Sequence, residues 1–388
     1  MPQSRRSSLY VRKASTFTAP IRELELHETY NSLKSLTIQE ATAAAALNAG
    51  LPPAVAANGS NVGGRFGVCV FEAEDRKNKT KIALKIFQKK AVKQVDFFRE
   101  YNYSYFLSPH PNIVETYEGV YTTKESYFFV QEFCPLGNLE NITATYAAAN
   151  SYIEESQVRL IIGQLISALE FLHCETLVHR NVCAKSILVF SLDFSRVKLS
   201  NFGSARKEGT IVKHTRSNNL YDPPEICDTL KNEAYGVDYA TDIWATGILI
   251  FYLLRSRYPW SKATFTCKPY YEWEQWQKRK SAQLPPKWVR FSEKALKLFK
   301  RTLEVKAKNR CSAKGVKKFL NFKWLKEIKS SNSVDPLIFV DDSSEVTKSR
   351  SNSDINKRRK KKSVLQQWIA ATISTMTEIS EQVVSATE

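Results

Sequence analysis

Residues 179–186 read His-Arg-Asn-Val-Cys-Ala-Lys-Ser, and residues 201–203 read Asn-Phe-Gly. These two segments decide the fold of the chain. A long apolar pattern with helical spacing ends shortly before the first segment, and a β-prone run directly precedes the second. Both segments carry amide or hydroxyl side chains, at Asn181, Ser186 and Asn201. Such groups can orient a ligand, but they cannot take up a proton or bring negative charge to a metal ion as a carboxylate does.

The two segments resemble the catalytic segments H-R-D-x-K-x-x-N and D-F-G of eukaryotic protein kinases. The resemblance implies that Asn181 stands for the catalytic Asp, Asn201 for the metal-binding Asp and Ser186 for the metal-binding Asn. It also implies an α+β bilobal fold, with a small β-rich N-lobe and a large mainly α-helical C-lobe. Lys185 lies four residues after Asn181, where receptor tyrosine kinases carry an Arg, so it is a candidate phosphate contact.

The composition limits the class of protein. The 388 residues, 43% of them hydrophobic, suffice for a two-lobed domain with extensions at both ends. No apolar run of about 18 residues occurs and the N-terminus has no apolar core, so we expect neither a transmembrane segment nor a secretory signal. Seven scattered Cys without a C-x-x-C pair favour a reducing cytoplasmic or nuclear compartment. The net charge of +18 favours acidic partners.

A glycine-rich turn and a strand lysine point to a nucleotide site in the first half of the chain. Gly64 and Gly67 match the second and third glycines of G-x-G-x-x-G, although a plain hairpin turn fits equally well, and Cys69 replaces the Val that follows in kinases. Lys85 lies in an apolar strand and Glu100 opens a helix 15 residues later. The resemblance implies that Lys85 contacts the ATP phosphates and pairs with Glu100; by itself, such a lysine could also be a solvent-facing edge residue.

The resemblance also implies the remaining contacts. Gln131 guards the back of the nucleotide pocket, Asp242 holds the backbone of the loop at 179–181, and Arg310 pairs with Glu225. Asn218 replaces an activation-segment Thr. Further cofactor-binding positions are Ala83, Glu132, Cys134 and Leu188.

Residues 62–322 are most similar to the SH3-binding-domain kinases, a group of Ser/Thr kinases. The similarity is densest at 190–206, 241–259 and 271–320. The proline-rich tail that gives this family its name is absent, so we do not expect SH3 binding. The missing catalytic carboxylates likewise argue against the family's kinase activity.

We predict four regions: residues 1–50, a mostly disordered extension with a helix at 38–48; 51–134, the N-lobe; 135–326, the C-lobe; and 327–388, a basic linker with an amphipathic helix at 364–384. The basic run Lys357–Lys362 could be a nuclear-localisation sequence, an anionic-surface patch that meets an acidic partner or membrane, or a solvated linker. For the terminal helix we favour docking in a protein groove over lipid.

These features predict a pseudokinase that acts as a binding, allosteric or scaffold module in signalling. Two alternatives remain: a residually active Ser/Thr kinase, and an adaptor whose basic tail is the functional part. We expect weak ATP binding that is nearly independent of Mg²⁺, because the metal positions Asn201 and Ser186 are degenerate. The expected partners are proteins, an unidentified kinase or substrate; no specific nucleic-acid motif is present.

Overall fold

The computed structural model describes residues 19–24, 26–35, 67–148, 151–214 and 219–327. The described parts of 1–144 and 152–326 form one compact unit, which contains the predicted N-lobe and the predicted C-lobe except for residues 145–151. The second unit comprises Thr145–Ser151 and Glu327–Glu388, of which only residues 145–148, 151 and 327 are described. None of the helices in the described ranges is both long and apolar enough to cross a membrane.

The small lobe is a six-stranded sheet in the order β1-β5-β6-β4-β3-β2. Two helices accompany it, α1 (Leu26–Thr29) and α2 (Gln94–Leu107). One face of the sheet packs on α2 through an aromatic cluster that includes Phe87, Phe97 and Phe129. The strands are β1 (Ile21–Glu23), β2 (Tyr30–Ser35), β3 (Val68–Asp75), β4 (Lys81–Gln88), β5 (Val120–Thr122) and β6 (Ser126–Glu132).

The small lobe begins earlier in the chain than we predicted. Strand β1 pairs with β5 and β2 pairs with β3, so part of the expected disordered extension, residues 1–50, belongs to the sheet. Strand β2 covers an edge of β3 that would otherwise expose unpaired backbone groups, and Tyr30 is buried against Phe128. The 32 residues from 36 to 67 separate β2 from β3. The predicted helix at 38–48 lies outside the described residues.

The large lobe is mainly helical, as predicted. The pattern of apolar residues at helical spacing forms α4, and α6 is apolar nearly all round and buried, which is typical of a central helix. Trp244 of α6 packs on Trp260, which packs in turn on Trp273 and Trp288, and all four tryptophans are buried. The helices are α3 (Leu139–Ala148), α4 (Glu155–Cys174), α5 (Pro224–Cys227), α6 (Ala240–Arg255), α7 (Lys268–Gln277), α8 (Glu293–Thr302) and α9 (Ala313–Lys317).

Short antiparallel strand pairs frame the cleft side of the large lobe. They place the loops at 179–186 and 201–203 next to each other, because the hairpin of β8 and β9 lies between these loops in sequence. The pairs are β7 (Leu177–Val178) with β10 (Arg206–Lys207), β8 (Ile187–Val189) with β9 (Val197–Leu199), and β11 (Ile211–Lys213) with β12 (Ala234–Gly236).

Candidate active site

The predicted ion pair joins the sheet to helix α2. The Lys85 ammonium on β4 donates to the Glu100 carboxylate on α2, and the two residues are only 5% and 4% exposed. A Cβ on Gly203 would lie 2.4 Å from Glu100 Oε2. The chain therefore passes so close to the pair that a side chain at this position would have to displace it. The Lys in the apolar strand is thus a buried cleft residue and does not face solvent at an edge.

Asn201 is the second partner of the Lys85 ammonium, at 2.8 Å from Nζ to Oδ1. Its backbone is left-handed, with φ 67° and ψ 60°, a conformation that Asn tolerates better than most residues. The next residue, Phe202, is buried and packs edge-to-face on His179, with ring centroids 5.1 Å apart. Asn201 therefore fits this backbone, and its side-chain oxygen already accepts a hydrogen bond from a cation.

Asp242 holds the loop that carries Asn181, as predicted. Its carboxylate is fully buried and accepts the backbone N–H groups of His179 and Arg180, each at 2.8 Å. His173 Nε2 lies 3.0 Å from the same carboxylate. Burial alone would raise the pKa of Asp242, but the hydrogen bond and charge of His173, with the contribution of His179, hold this pKa below its usual value. The carboxylate is therefore ionised at neutral pH.

The positions that replace the expected Asp and Asn bond to each other. Asn181 Nδ2 donates to Ser186 Oγ at 3.1 Å, and Cys183 Sγ lies 3.4 Å from the same oxygen. Burial raises the pKa of the Cys183 thiol, so it stays neutral and offers no thiolate. Asp193, in the turn between β8 and β9, is exposed and accepts the backbone N–H of Ser195.

Lys185, the predicted phosphate contact, lies beside an acid on the large lobe. Its Nζ is 3.4 Å from Glu140 Oε2 on α3. This carboxylate offsets part of the charge that the ammonium would present to a phosphate. The contact with Glu140 was not foreseen from the sequence, because the two residues are far apart in the chain and no short motif links them.

The strand register decides which residue of β3 shares the sheet face of Lys85. Lys85 pairs with Val70, whereas Cys69 pairs with Ile86. Cross-strand partners point to the same face of a sheet, so Val70, and not Cys69, shares the face of Lys85. Ala83, two residues before Lys85, lies on that face as well, so the strand brings these two predicted cofactor-binding positions to one face of the sheet.

The segment that joins the lobes directs its side chains inward. Gln131 Nε2 donates to Thr116 Oγ1 at 2.9 Å, and Cys134 Sγ donates to the Val189 carbonyl at 2.9 Å. Burial raises the pKa of Cys134 to about 11, so this thiol is unreactive. Leu188 lies on β8 and bridges to the same segment. The predicted pocket residues of this region are thus brought together.

Glu132 has a structural partner that sequence reasoning missed. Its carboxylate accepts from the Lys198 ammonium, which is also buried, and from Arg196 at 3.1 Å. It also accepts the backbone N–H of Glu115 at 2.7 Å. The Glu132 backbone N–H donates to the Glu115 carbonyl at 3.0 Å. Both the side chain and this N–H are therefore engaged within the protein, so the predicted cofactor contact would have to use the backbone carbonyl.

The activation segment is fixed by two further contacts. Arg310 forms two hydrogen bonds with the Glu225 carboxylate, each 2.6 Å, which confirms the predicted pair. Arg180 donates to the Ser204 carbonyl at 2.9 Å and to the Tyr235 hydroxyl at 2.6 Å.

Two of the predicted positions, Gly64 and Asn218, lie outside the described residues. Gly67 has φ 91° and directly precedes β3.

The donor set does not fit a magnesium ion. Asn181, Ser186 and Asn201 are all neutral, whereas Mg²⁺ in proteins usually binds one or two carboxylates. The Asn201 oxygen accepts from the Lys85 ammonium, and a metal ion there would meet that positive charge. In the described ranges, no three His, Cys, Asp or Glu side chains are grouped so that they could hold a metal ion.

Comparison with known proteins agrees with the two-lobed fold. Residues 58–325 match the protein kinase domain family. The chain is 44% identical over 331 residues to a putative serine/threonine-protein kinase of Caenorhabditis elegans, covering 84% of this chain and 74% of that protein. It is 38% identical over 253 residues to the serine/threonine-protein kinase SBK1 of Danio rerio, covering 65% of each. For SBK1 of Mus musculus the identity is 35% over 250 residues, covering 64% of this chain and 59% of the relative.

Proposed function

We propose that this chain, which belongs to the protein kinase superfamily and within it to the SH3-binding-domain kinase family, is a pseudokinase. In this proposal the kinase fold serves as a binding, allosteric or scaffold module in signalling and does not transfer phosphate. The observation that carries the proposal is the set of neutral side chains at the three chemical positions, Asn181, Ser186 and Asn201, which bond to their neighbours.

The chemistry of phosphoryl transfer supports this reading. In kinases the protein positions the reactants, neutralises phosphate charge through bound metal ions and accepts the proton of the substrate hydroxyl. Asn181 can hydrogen-bond a hydroxyl but cannot take its proton. Removing one base or one charge-stabilising group typically costs about 10²–10⁴-fold in rate. The rate losses from several such changes need not be additive in free energy, but each single loss of rate is large.

Weak nucleotide binding is compatible with the same site. The Lys85 ammonium has three hydrogens; Glu100 and Asn201 take two of them. One hydrogen is left for a phosphate oxygen. Without a metal ion, however, the charge of ATP would be opposed mainly by Lys85, because Lys185 lies beside Glu140. We therefore propose that ATP binds weakly and that Mg²⁺ changes its affinity little.

The alternative is a residually active Ser/Thr kinase, and one observation favours it. The framework is assembled as catalysis would require: the Lys85–Glu100 pair is closed, Phe202 packs on His179, and Asp242 holds the loop. An assembled framework is equally useful for a module that binds partners in one fixed conformation. The two functions differ in their response to Mg²⁺.

A thermal-shift titration with ATP, with and without Mg²⁺, tests the proposal. A ligand that binds only the folded state stabilises it by RT ln(1 + [L]/Kd). We expect a small shift that Mg²⁺ leaves unchanged and that Lys85→Met removes. A shift that Mg²⁺ increases several-fold would favour the residually active kinase. Lys317→Met serves as the matched control, because it makes the same Lys-to-Met change at a paired lysine outside the candidate site, where Lys317 of α9 meets Glu170 of α4.

A further inference from the structure

The outward face of α8 carries three cations at one side of the helix. Lys294, Lys297 and Arg301 recur at steps of three and four residues, which places them on the same face. All three are exposed, and no acidic side chain of the described residues forms an ion pair with them. About 10 Å separates the first from the last along the helix axis. The one exposed acid of α8 is Glu293, in its first turn.

The segment after α9 extends this surface. The Ser292 hydroxyl donates to the Lys323 carbonyl at 2.7 Å and its backbone N–H donates to the Trp324 carbonyl at 2.8 Å, so the segment lies against the start of α8. The Lys294 ammonium lies 4.6 Å above the Phe322 ring, which is 40% exposed. We call the whole surface the basic face; its exposed members are Lys294, Lys297, Arg301, Phe322, Lys323 and Lys326.

The residues of the basic face belong to a strongly positive stretch of the sequence. From residue 278 to residue 327 there are seventeen Lys and Arg and three Glu. Lys300 stacks on Trp276, 3.9 Å from the ring centroid, and burial together with the nearby Arg279 lowers the pKa of its ammonium. Crowded like charges repel one another and destabilise the compact state. An anionic surface brought against this end of the lobe would relieve that repulsion.

We propose that the basic face docks the large lobe on an anionic phospholipid surface. An outward helix face is convex and suits a planar surface better than a peptide, which usually binds in a groove or along a sheet edge. Thirteen of the seventeen cations are Lys, which act as point charges, whereas bidentate recognition of a defined phosphate uses Arg. An exposed apolar side chain beside cations, here Phe322 next to Lys294, is typical of membrane-surface segments.

A nucleic acid fits this surface less well. Single-stranded nucleic acids bind where aromatic rings offer faces on which bases stack. The Phe322 ring of the basic face and the Trp276 ring beside Lys300 of α8 each have a lysine ammonium over one face. The lipid proposal is independent of catalysis and therefore goes beyond the pseudokinase proposal.

The test is flotation of the full chain with vesicles of phosphatidylcholine alone or mixed with phosphatidylserine, at low and at physiological salt. We expect binding to the mixed vesicles only, weaker at higher salt. The variant Lys294→Gln, Lys297→Gln, Arg301→Gln should lower the partition coefficient about 100-fold, since each cation near the surface contributes about fivefold. Its melting temperature should match that of the parent, which excludes misfolding as the cause.

The matched control removes the same charge from the small lobe, through Lys77→Gln, Lys90→Gln and Lys124→Gln, all exposed. This control should bind within about twofold of the parent. The proposal is overturned if both triple variants bind alike, since net charge or other residues then account for binding. It is also overturned if the parent does not bind the mixed vesicles. The same holds if polyuridylate displaces the parent from these vesicles at physiological salt.

Discussion

Replacing the buried Asp242 by Ala should destabilise the large lobe strongly. The change removes the acceptor of two backbone N–H groups, those of His179 and Arg180, and the partner of His173. Each buried donor left without an acceptor costs about 1–3 kcal/mol, and breaking a buried charged pair costs about 3–5 kcal/mol. We therefore expect a loss of about 3–5 kcal/mol. In a domain of this size, 1 kcal/mol corresponds to about 2–4 °C, so melting should fall by about 6–20 °C.

Thermal unfolding followed by circular dichroism measures this change. Asp242→Asn, which keeps one oxygen acceptor, should lose about half as much. Asp193→Ala is the matched control, because Asp193 is an exposed Asp in a turn of the same lobe and should leave the melting temperature nearly unchanged. If Asp242→Ala melts within about 2 °C of the parent, the carboxylate does not hold the loop as described, and the account of this site is wrong.

Three further predictions concern the framework. Arg310→Ala should lower the free energy of unfolding by about 1–3 kcal/mol, because it removes the buried guanidinium that donates to the Glu304 and Ala240 carbonyls, whereas the Glu225 carboxylate left behind is 37% exposed to water; equal denaturation midpoints in urea would refute this. Gly203→Ala should weaken any ATP-induced thermal shift, because the added methyl meets Glu100 Oε2; an undiminished shift would contradict it. Since the pKa of Asp242 is lowered in the folded state, its stabilisation is complete at neutral pH and is lost as the pH falls below about 4. Acid should therefore destabilise the parent more than Asp242→Asn; parallel melting curves would count against that.

The framework of the candidate site could be predicted because its residues lie in short motifs at fixed spacing. Lys85 and Glu100 are 15 residues apart in the chain, and the structure joins them directly. The pairing of Asp242 with the loop at His179 followed from the same pattern. In both cases the residue type itself restricts the partner, since a buried charge needs a counter-charge or hydrogen bonds.

Contacts between distant segments could not be predicted in this way. Strand β2 is short and has no clear alternation of apolar and polar residues, and 32 residues separate it from β3. Its strand character depends on the exposed edge that it covers, which the local sequence does not record. The buried pair of Glu132 with Lys198 joins residues 66 positions apart. That Val70, and not its neighbour Cys69, shares the sheet face of Lys85 depends on the strand register, because a shift of one residue moves a side chain to the other side of a sheet.

The proposal that phosphate transfer is lost is tested most directly by incubating the full chain with γ-labelled ATP, Mg²⁺ and generic basic protein substrates. The account predicts no label above that of Lys85→Met, on the chain itself or on substrate. Asn181→Asp alone should not restore transfer, whereas the triple change Asn181→Asp, Ser186→Asn and Asn201→Asp restores the missing groups and should raise it. Robust transfer by the unmodified chain that Lys85→Met abolishes would contradict the account.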